Sequence, residues 1–461
     1  MSSEILTWAE KAVKLAEVLG AEQSEAFVMR DDLKYLTVEL GEVKFRSRDS
    51  HTGMGLTVNR NGSLGFAYTT KMDDGGVEDA TRDALKVASV RAPDPEFKGF
   101  PEPKKIIPVK GAYDEKLAQL SDGKAVELTT TMMEASKQPD PTIIPTFGVL
   151  ECHKRTKAVV NSIGMAVEDV GTILSVGLRT LLKKGDRAGN GYDFQSSRNL
   201  DKIDPATIGY KAGELAVSSM DARDIETCKT TVILDPHAVA GVFGSVLAQP
   251  LMGNLIHEKR SIFVDMVGHD LGCEKITVID DGTLPGGHNT GSFDAEGVPM
   301  QRKTLIEKGV LKGYVYDTYT ANLANTESTG NAVRSGGYGS GNRAYRNTPT
   351  VGATNFIIAT GDSDRETMIE ETDDGVLLTF AVGGGSPISG DFSTDARNAF
   401  KIEGGEIAYP IKQAMFTGNV LEILRNLESV SKKSRFSGGL SPGMVLAPTM
   451  KFSQGTIIGG K

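Results

Sequence analysis

The sequence has 461 residues, 53 glycines and a formal net charge of −9. A chain of this length exceeds one compact core, so two or three domains are expected. The acidic balance argues against a nucleic-acid-binding protein, because phosphate binding requires a basic face. The many glycines predict a turn-rich protein with much β-structure.

Targeting signals are not evident. The first twenty residues form an amphipathic pattern with acidic residues inside it, unlike the apolar core of a signal peptide. No run of about 18 apolar residues is present, so no membrane association is expected. Three widely spaced cysteines without a CxxC pair are typical of a reducing compartment. We therefore expect a cytoplasmic protein.

The residue pattern in the first half of the chain predicts two small units, each ordered as helix, antiparallel strands, helix. In the first, residues 1–91, the helices are predicted at 3–19 and 75–91 and the strands at 24–30, 35–48, 54–60 and 64–70. Asn61-Gly62 is a strong hairpin signal, because it supplies the positive φ values of a type I′ turn. Five prolines in residues 92–111 predict an extended linker.

The second unit, residues 112–222, has predicted helices at 121–138 and 204–220 and strands at 142–153, 156–161, 164–169 and 172–182. The third region, residues 223–461, is rich in β-patterns and glycine turns, including a hairpin at 403–406 and one late helix at 419–430. The predicted fold class is α+β: two small helix–antiparallel-sheet units followed by a large β-rich, barrel-like C-terminal domain.

The segment 231–253 combines a strand with an apolar helix. The strand pattern at 231–234 ends in Asp235-Pro236, where a turn and a helix start are favoured. A strand that leads into a helix often carries a hydrolytic site. Here, residues 241–250 contain no His, Glu, Asp, Cys or Lys.

From Leu19 onward the chain resembles the TldD/PmbA family, the "modulator of DNA gyrase" proteins related to a bacterial metalloprotease. The resemblance is carried by several ordered words: VIDDGTLPG (278–286), DAEGVPMQRKTLIEKGVLKGY (294–314), TGNAVR (329–334), RNTPTVGATN (346–355), SGDFSTDA (389–396) and IEGGEIAYPIKQAMFTGN (402–419). The gyrase label does not imply DNA binding, because no strong Lys/Arg run is present.

The TldD branch of this family carries HExxxH on the helix after such a strand, and a late Cys as a further metal ligand. This chain has neither. Its one His-Glu pair is His257-Glu258, and Ile262 stands where HExxxH has its second His. Its last cysteine is Cys273, and residues 437–448 contain no Cys. SGDFS is similar to the PmbA (TldE) branch. The resemblance implies a subunit with no metal or other cofactor of its own, paired with a TldD-like partner that holds a zinc-type metal.

Zinc-dependent peptide hydrolysis needs two or three N, O or S ligands around an open position. Ser245 and Gln249 are four residues apart on the predicted helix but are poor zinc ligands. An atypical site could arise if four histidines converged in space; scattered polar histidines are the favoured interpretation. These histidines are His237, His257, His269 and His288.

Other polar words also have a structural interpretation. The carboxylate pairs Asp280-Asp281 and Asp294/Glu296 could share acid/base work, but each adjoins glycine in a turn word, which favours turn structure. SGDFS (389–393) lacks a surrounding GxSxG and is interpreted as a turn beside the hairpin at 402–407. GGYGSG (336–341) lacks the GK[ST] of a phosphate loop and is interpreted as a mobile loop or a substrate gate.

A peptide path is predicted beside the glycine-rich stretch, mainly from the family words. Asn and Arg can satisfy the amides and carbonyls of an extended peptide, and glycine permits close backbone approach. The residues are Thr329, Gly330, Asn331, Arg346 and Asn347.

The leading functional hypothesis is a non-catalytic TldE/PmbA-type subunit of a heteromeric cytoplasmic metalloprotease. A TldD-type subunit would cleave unfolded or precursor peptides, and this chain would help to enclose and guide them, by strand addition to sheet edges. Two alternatives remain: a stand-alone peptidase, metal-free or with an atypical metal site, and a homo-oligomeric binding protein without peptidase activity. A dimer is expected in either hetero- or homomeric form.

Overall fold

The computed structural model describes residues 3–334, 343–438 and 444–460. Within these ranges the chain forms ten α-helices and nineteen β-strands, which confirms the predicted α+β class. The helices are α1 (Glu4–Val18), α2 (Asp74–Val90), α3 (Glu115–Ala118), α4 (Asp122–Ser136), α5 (Pro205–Ser218), α6 (Pro236–Phe243), α7 (Gly253–His257), α8 (Thr318–Leu323), α9 (Arg365–Glu370) and α10 (Val420–Arg425).

The strands divide into two large sheets and one small one. They are β1 (Gln23–Glu39), β2 (Glu42–Arg60), β3 (Ser63–Thr69), β4 (Ile144–Asn161), β5 (Ala166–Lys184), β6 (Arg187–Ser197), β7 (Cys228–Leu234), β8 (Val278–Asp281), β9 (Arg302–Glu307), β10 (Val310–Leu311), β11 (Ala332–Val333), β12 (Thr350–Val351), β13 (Asn355–Ile358), β14 (Asp374–Gly385), β15 (Asp391–Glu403), β16 (Glu406–Ile411), β17 (Ala414–Asn419), β18 (Leu427–Gly438) and β19 (Met444–Gly459).

The first two predicted units share a single antiparallel sheet of order β3-β2-β1-β4-β5-β6. The central pairing, β1 with β4, runs from Glu25 opposite Asn161 to Glu39 opposite Phe147. Each half of the sheet is covered by helices, α1 and α2 over β1–β3 and α4 and α5 over β4–β6. The sheet therefore joins residues from both sides of the 92–111 segment.

Strand β1 is buried on both faces near its start. Ala26 and Val28 pack against α1 and α2, whereas Phe27 and Met29 pack against Phe293 and other residues of the C-terminal region. Successive strand side chains point to opposite faces, so both sets are buried only when both faces are covered. The C-terminal region therefore lies on the sheet face opposite the helices.

The C-terminal region is built around a closed barrel, as predicted. Strands β7, β14, β15, β17 and β19 form a ring, because β19 pairs with both β17 and β7. Strands β13, β8, β9 and β10 extend this sheet beyond β19. Helix α6 packs against β14 so closely that a Cβ at Gly241 would lie 2.2 Å from the carbonyl oxygen of Ala381.

Several predicted elements are confirmed. The helices predicted at 3–19, 75–91, 121–138 and 204–220 correspond to α1, α2, α4 and α5. Asn61 and Gly62 have φ values of 52° and 77°, and Gly404 and Gly405 have 58° and 82°, so both predicted hairpin turns use left-handed residues.

The strands of the six-stranded sheet are longer than predicted. The breaks predicted at 31–34 and 49–53 are wrong, because β1 and β2 continue through them. The single strand predicted at 35–48 is also wrong, because the chain turns within it at Leu40-Gly41. The polar residues inside β1 have partners: Asp31 accepts from His153 Nδ1 at 3.0 Å and from Arg155 Nε at 3.2 Å. The breaks predicted at 154–155 and 170–171 are likewise absent, because β4 and β5 are each continuous.

Strand β6 was not predicted, because its sequence is polar and contains glycine. Gly189 and Gly191 let α5 approach the sheet: a Cβ at Gly191 would lie 1.8 Å from the Ala212 carbonyl oxygen. The late helix predicted at 419–430 is wrong in its second half. It ends at Arg425, because Leu427 begins β18 and pairs with Phe452 of β19.

The proline-rich segment 92–111 forms neither helix nor strand. It is nevertheless attached to both regions: Asn161 Nδ2 donates to the Pro101 carbonyl oxygen, and Val109 N donates to Ser292 Oγ. None of the helices in the described part of the chain has both the length and the apolar character needed to cross a membrane.

Candidate functional site

Helix α6 begins where β7 ends, as the Asp235-Pro236 pair predicted. Pro236 is the first helical residue, and Asp235 occupies the N-cap position without a side-chain capping hydrogen bond. The Asp235 carboxylate is instead held by Arg365 of α9, through Nε at 2.7 Å and Nη2 at 2.8 Å. Thr449 Oγ1 adds a third hydrogen bond at 3.2 Å. This bidentate pair fixes the strand-to-helix turn against α9 and β19.

The helix continues as a π-helical turn, Gly244–Ala248, and a 3-10 turn, Gln249–Leu251. Residues 241–248 are buried, and Ser245 Oγ donates to the Val242 carbonyl oxygen at 3.2 Å. A Cβ at Gly385 of β14 would lie 2.0 Å from Val246 Cγ1, so the turn is packed tightly against the barrel. This segment offers one self-bonded hydroxyl and one amide, and these groups do not fit a zinc ion.

A cleft of about 720 Å³ opens at the N-terminal end of α6. Its walls come from β6 and α5 on one side and from α6, α9, β14 and β18 on the other. Aromatic side chains line part of it: Tyr192 and Phe380 lie 5.5 Å apart between ring centroids. The ring of His237, which also lines the cleft, packs against Phe194 with centroids 4.7 Å apart. The cleft therefore lies between the six-stranded sheet and the barrel.

Asp193 and Arg435 form a charged pair in the wall of this cleft. Arg435 Nη1 lies 2.8 Å from Asp193 Oδ1, and Nη2 lies 3.0 Å from Oδ2. Burial acts to raise the pKa of Asp193, but the contact with His237 and the Arg435 guanidinium outweigh it and lower that pKa. Asp193 is therefore a carboxylate at neutral pH.

His237 lies beside this pair, with Nε2 3.5 Å from Asp193 Oδ1. Neither ring nitrogen makes a geometrically sound hydrogen bond to any residue that the structure describes. Burial lowers the pKa of His237, against the raising effect of Asp193, so the imidazole is neutral. A neutral imidazole next to a carboxylate can accept or donate one proton, which is the chemistry of a general base.

The first three predicted peptide-path residues lie inside a buried polar network. Thr329 Oγ1 donates to Asn331 Oδ1 at 2.8 Å, and Asn331 Nδ2 donates to Asp280 Oδ1 at 2.9 Å. Lys303 Nζ also lies 2.9 Å from Asp280 Oδ1. Gly330 has a φ of 70°, and a Cβ there would lie 2.4 Å from the Pro299 carbonyl oxygen. These residues therefore stabilise one another through hydrogen bonds and close packing.

The other two predicted residues, Arg346 and Asn347, are exposed. The Arg346 guanidinium lies 5.5 Å from the Tyr68 ring centroid, above a shallow groove that also contains His51. The Asn347 carbonyl oxygen accepts from Arg334 Nη1 at 2.9 Å. The structure therefore separates the five residues into an internal set and a surface set.

The turn interpretation of the carboxylate words is confirmed for Asp281 and Asp294 but is wrong for Asp280, which is fully buried in β8 and paired with Lys303. Asp281 accepts from Thr283 N and Oγ1, and Asp294 Oδ1 accepts from Glu296 N and Val298 N. Within SGDFS, Ser389 and Gly390 form the turn between β14 and β15. This turn lies at the opposite end of β15 from the hairpin at 403–406, not beside it. The stretch 336–341 lies outside the described residues.

The four candidate histidines have different surroundings. His237 lines the cleft, His288 is half-buried with Nδ1 3.0 Å from Ser196 Oγ, and His257 and His269 are exposed. Burial, with the nearby Arg198 charge, lowers the pKa of His288 to about 3. In residues 3–334, 343–438 and 444–460, no three His, Cys, Asp or Glu side chains are placed to hold one metal ion.

Three residues of the cleft were not singled out from the sequence: Asp193, Arg365 and Arg435. Asp193 lies on the unpredicted strand β6, and Arg435 joins it across a sequence separation of 242 residues. No local spacing signals such a pair.

These features define an α+β protein in which helix α6 offers a cleft at its start, and in which residues 241–250 carry no zinc-binding side chains. Family models for three consecutive domains match the chain: PmbA/TldA metallopeptidase domain 1 over residues 24–88, the central domain over 115–220 and the C-terminal domain over 227–459. The chain belongs to the PmbA/TldD metallopeptidase family, as predicted.

Relatives cover nearly the whole chain. An uncharacterized protein of Methanocaldococcus jannaschii is 28% identical, covering 95% of this chain and 98% of its own. Metalloprotease PmbA of Escherichia coli O157:H7 is 26% identical, with 96% of each chain covered. The crystal structure of TldE from Thermococcus kodakarensis is similar, with a TM-score of 0.90, 26% identity and coverage of 98% of this chain and 100% of that one.

Proposed function

We propose that this chain is the non-catalytic, PmbA/TldE-type subunit of a heteromeric metalloprotease that acts in the cytoplasm. A TldD-type partner supplies the HExxxH helix and its zinc-type metal, and this chain helps to enclose and guide unfolded or precursor peptides. The main support is the segment 241–250, whose polar side chains are the self-bonded Ser245 hydroxyl and the Gln249 amide, both poor zinc ligands. A catalytic zinc needs three protein ligands and an open position.

The proposed guiding surface is the cleft at the start of α6. Its volume of about 720 Å³ accommodates several peptide residues, and it combines aromatic walls with the Asp235–Arg365 and Asp193–Arg435 pairs. Ile407 of the edge strand β16 is 47% exposed and also lines the cleft. An extended peptide that adds to an exposed edge gains main-chain hydrogen bonds, and its side chains then contact the cleft walls.

The test is reconstitution with a TldD-type protein from the same host. Peptide cleavage is measured for each protein alone and for the mixture, together with zinc content after removal of free ion. We expect cleavage only by the mixture, loss of cleavage when the partner's HExxxH motif is disabled, and less than one zinc in ten copies of this chain. Cleavage by this chain alone, or one tightly bound zinc per chain, would contradict the proposal.

A stand-alone peptidase is the second candidate, because the neutral His237 next to Asp193 is a possible general base in the cleft. The variant His237→Ala, with the exposed His257→Ala as its matched control, distinguishes the two. Under the leading proposal, this chain alone cleaves no peptide, whether it is wild type or carries either substitution. Cleavage by the chain alone that His237→Ala abolishes and His257→Ala retains would favour the second candidate.

The predicted peptide path at Arg346 and Asn347 remains part of the proposal. Both residues are exposed, which leaves them accessible to a peptide. The double variant Arg346→Ala/Asn347→Ala should slow cleavage by the pair about tenfold, the effect of losing roughly 1.4 kcal/mol of contacts. Unchanged cleavage by a folded double variant would remove these two residues from the path.

A further inference from the structure

A second cavity, of about 230 Å³, lies between the six-stranded sheet, the proline-rich segment and helix α8, far in sequence from the α6 segment. Its floor is one row of residues across three strands: Glu25 of β1 faces Thr57 of β2, which faces Phe66 of β3. Its roof is formed by Glu296 and by Thr318 at the start of α8. Its mouth includes Arg91 and Thr348, both exposed.

Three buried polar atoms of this cavity have no hydrogen-bond partner within residues 3–334, 343–438 and 444–460. They are Glu25 Oε2, Thr57 Oγ1 and Thr318 Oγ1. Glu25 is only 1% exposed, and its other carboxylate oxygen accepts from Arg334 Nη2 at 2.8 Å. An unsatisfied buried polar group costs about 1–3 kcal/mol, so three around one cavity indicate a site for a polar ligand.

The charge of the lining identifies the sign of that ligand. Glu25, Glu296 and Asp317 all line the cavity, and Glu296 and Asp317 are also buried. One Glu296 oxygen accepts from Thr318 N at 2.9 Å, and Asp317 caps α8 through Thr320 N at 2.8 Å. The cation among the lining residues, Arg91, lies at the mouth and donates to the Leu64 carbonyl oxygen. Arg334, outside the lining, offsets one of the three acidic groups through its pair with Glu25, and the remaining acidic groups favour a cation.

The remaining wall is aromatic. Phe66, Phe97, Phe100 and Tyr319 line the cavity, and Phe97 and Phe100 form an edge-to-face pair with centroids 5.3 Å apart. Aromatic faces attract cations and bury apolar groups. A bare metal ion does not fit, because the described part of the chain places no three carboxylates or histidines close enough to ligate one.

We propose that this cavity binds a protonated primary amine attached to an apolar group. The ammonium has three N–H donors, the same number as the unpartnered acceptors Glu25 Oε2, Thr57 Oγ1 and Thr318 Oγ1. The apolar group packs against Phe66, Phe97 and their aromatic neighbours. Such a ligand is either a free amine or the amino terminus of a peptide with an apolar first residue, and the two share this chemistry.

The experiment is titration calorimetry on the full chain with matched probes. Phenethylamine is the cationic probe, and 2-phenylethanol is its neutral counterpart of nearly the same shape. We expect phenethylamine to bind at least about tenfold more tightly than the alcohol, because only the ammonium satisfies the buried carboxylate. Equal affinity of the two probes, or no binding of the amine, would overturn the proposal.

Variants locate the binding in this cavity. Thr57→Val and Thr318→Val remove the unpartnered hydroxyls with little change of shape, and each should weaken phenethylamine binding about fivefold or more. Neither disturbs the Glu25–Arg334 ion pair, so folding should be retained. Thr129→Val in α4 is the control, because its buried hydroxyl already donates to the Ala125 carbonyl oxygen. Wild-type affinity in both cavity variants would overturn the assignment.

Two peptides distinguish the source of the amine. One is Phe-Ala-Ala-Ala with a free amino terminus, and the other is the same peptide acetylated. Binding of the free peptide but not of the acetylated peptide identifies a peptide amino terminus as the ligand class. Binding of phenethylamine but of neither peptide identifies a small free amine. Binding of both peptides with equal affinity would overturn the proposal, because the acetylated peptide carries no ammonium.

Discussion

A single residue, Asp193, links the two walls of the cleft. It pairs with Arg435 and contacts His237, and its side chain is 5% exposed. Removing one partner of a buried ion pair leaves the other charge uncompensated. We expect Asp193→Asn to lower the free energy of unfolding by about 2 kcal/mol, a value reduced from the fully buried case because Arg435 is partly exposed.

The measurement for Asp193→Asn is urea unfolding followed by circular dichroism. Asp395→Asn is the matched control, because Asp395 forms an exposed pair with Arg397 on β15. Exposed pairs contribute about 0–1 kcal/mol, so this control should unfold at nearly the wild-type midpoint. If both variants shifted the midpoint equally, the cleft pair would have no special role in stability.

Glu25 makes the stability of the folded protein depend on pH. Burial raises its pKa from 4.5 to about 7, although the Arg334 charge acts in the opposite direction. The folded state therefore holds this proton more tightly than the unfolded state, and stability falls as pH rises from about 4.5 to about 7. Burial also raises the pKa of Asp294, to about 6, and that of Glu296, so these neighbours act in the same direction.

Glu25→Gln tests this dependence. The variant keeps a hydrogen-bond acceptor for Arg334 but cannot ionise. Its free energy of unfolding should therefore fall less than that of the wild type between pH 4.5 and 7, by a difference of up to about 3 kcal/mol. Free energies of unfolding are measured at half-unit steps over this range in amine-free buffer. A wild-type curve that rises with pH, or one that Glu25→Gln leaves unchanged, would contradict the assignment.

At the scale of elements, the contact between α6 and β14 depends on Gly241. A Cβ there would lie 2.2 Å from the Ala381 carbonyl oxygen, so Gly241→Ala must displace the helix. Overpacking of this kind costs about 1–3 kcal/mol. Gly123, in α4, has open space around its Cβ position. Gly123→Ala should therefore stabilise by roughly 0.5–1 kcal/mol.

Thermal unfolding of the two glycine variants checks this prediction. Gly241→Ala should lower the melting temperature and Gly123→Ala should raise it, because both replace a helical glycine but only one meets a backbone atom. Equal shifts in the same direction would mean that helix propensity, and not the close approach to β14, determines the outcome.

The elements that could be predicted from the sequence are those fixed by local chemistry. Helix periodicity placed α1, α2, α4 and α5, and the Asn61-Gly62 and Gly404-Gly405 turns followed from positive φ. The continuity of β1 through Asp31 depends on His153 and Arg155, 122 and 124 residues away. Strand β6 depends on the close approach of α5 to Gly191. Local patterns do not contain such partners.

The same distinction applies to the candidate sites. The lack of zinc-binding residue types at 241–250 is a property of the sequence itself. The cleft pair Asp193–Arg435 and the cavity row Glu25–Thr57 exist only after strands from separate regions come together. Thr329 and Asn331 were predicted as peptide ligands from a family word, whereas their side chains are bonded to each other and to buried neighbours.

At the scale of the whole molecule, the six-stranded sheet connects all three matched domains. Strand β1 pairs with β4 over residues 25–39, and its Phe27 and Met29 are buried against the C-terminal region. Residues 3–111 alone would expose this paired edge and this apolar face. Long exposed edges promote association with other chains, and buried apolar side chains contribute about 1.5–3 kcal/mol each.

A fragment of residues 3–111 should therefore not form a stable monomer, although a family domain model matches residues 24–88 within it. When expressed alone, we expect it to aggregate or to lack protected amides. In a complex with residues 112–461 it should be soluble and its amides should be protected, because β4 then covers the β1 edge. Size-exclusion chromatography and hydrogen exchange measure these outcomes. A monomeric fragment with a sharp unfolding transition would instead mean that α1, α2 and three strands suffice as a core, and that the β1–β4 pairing joins units that fold independently.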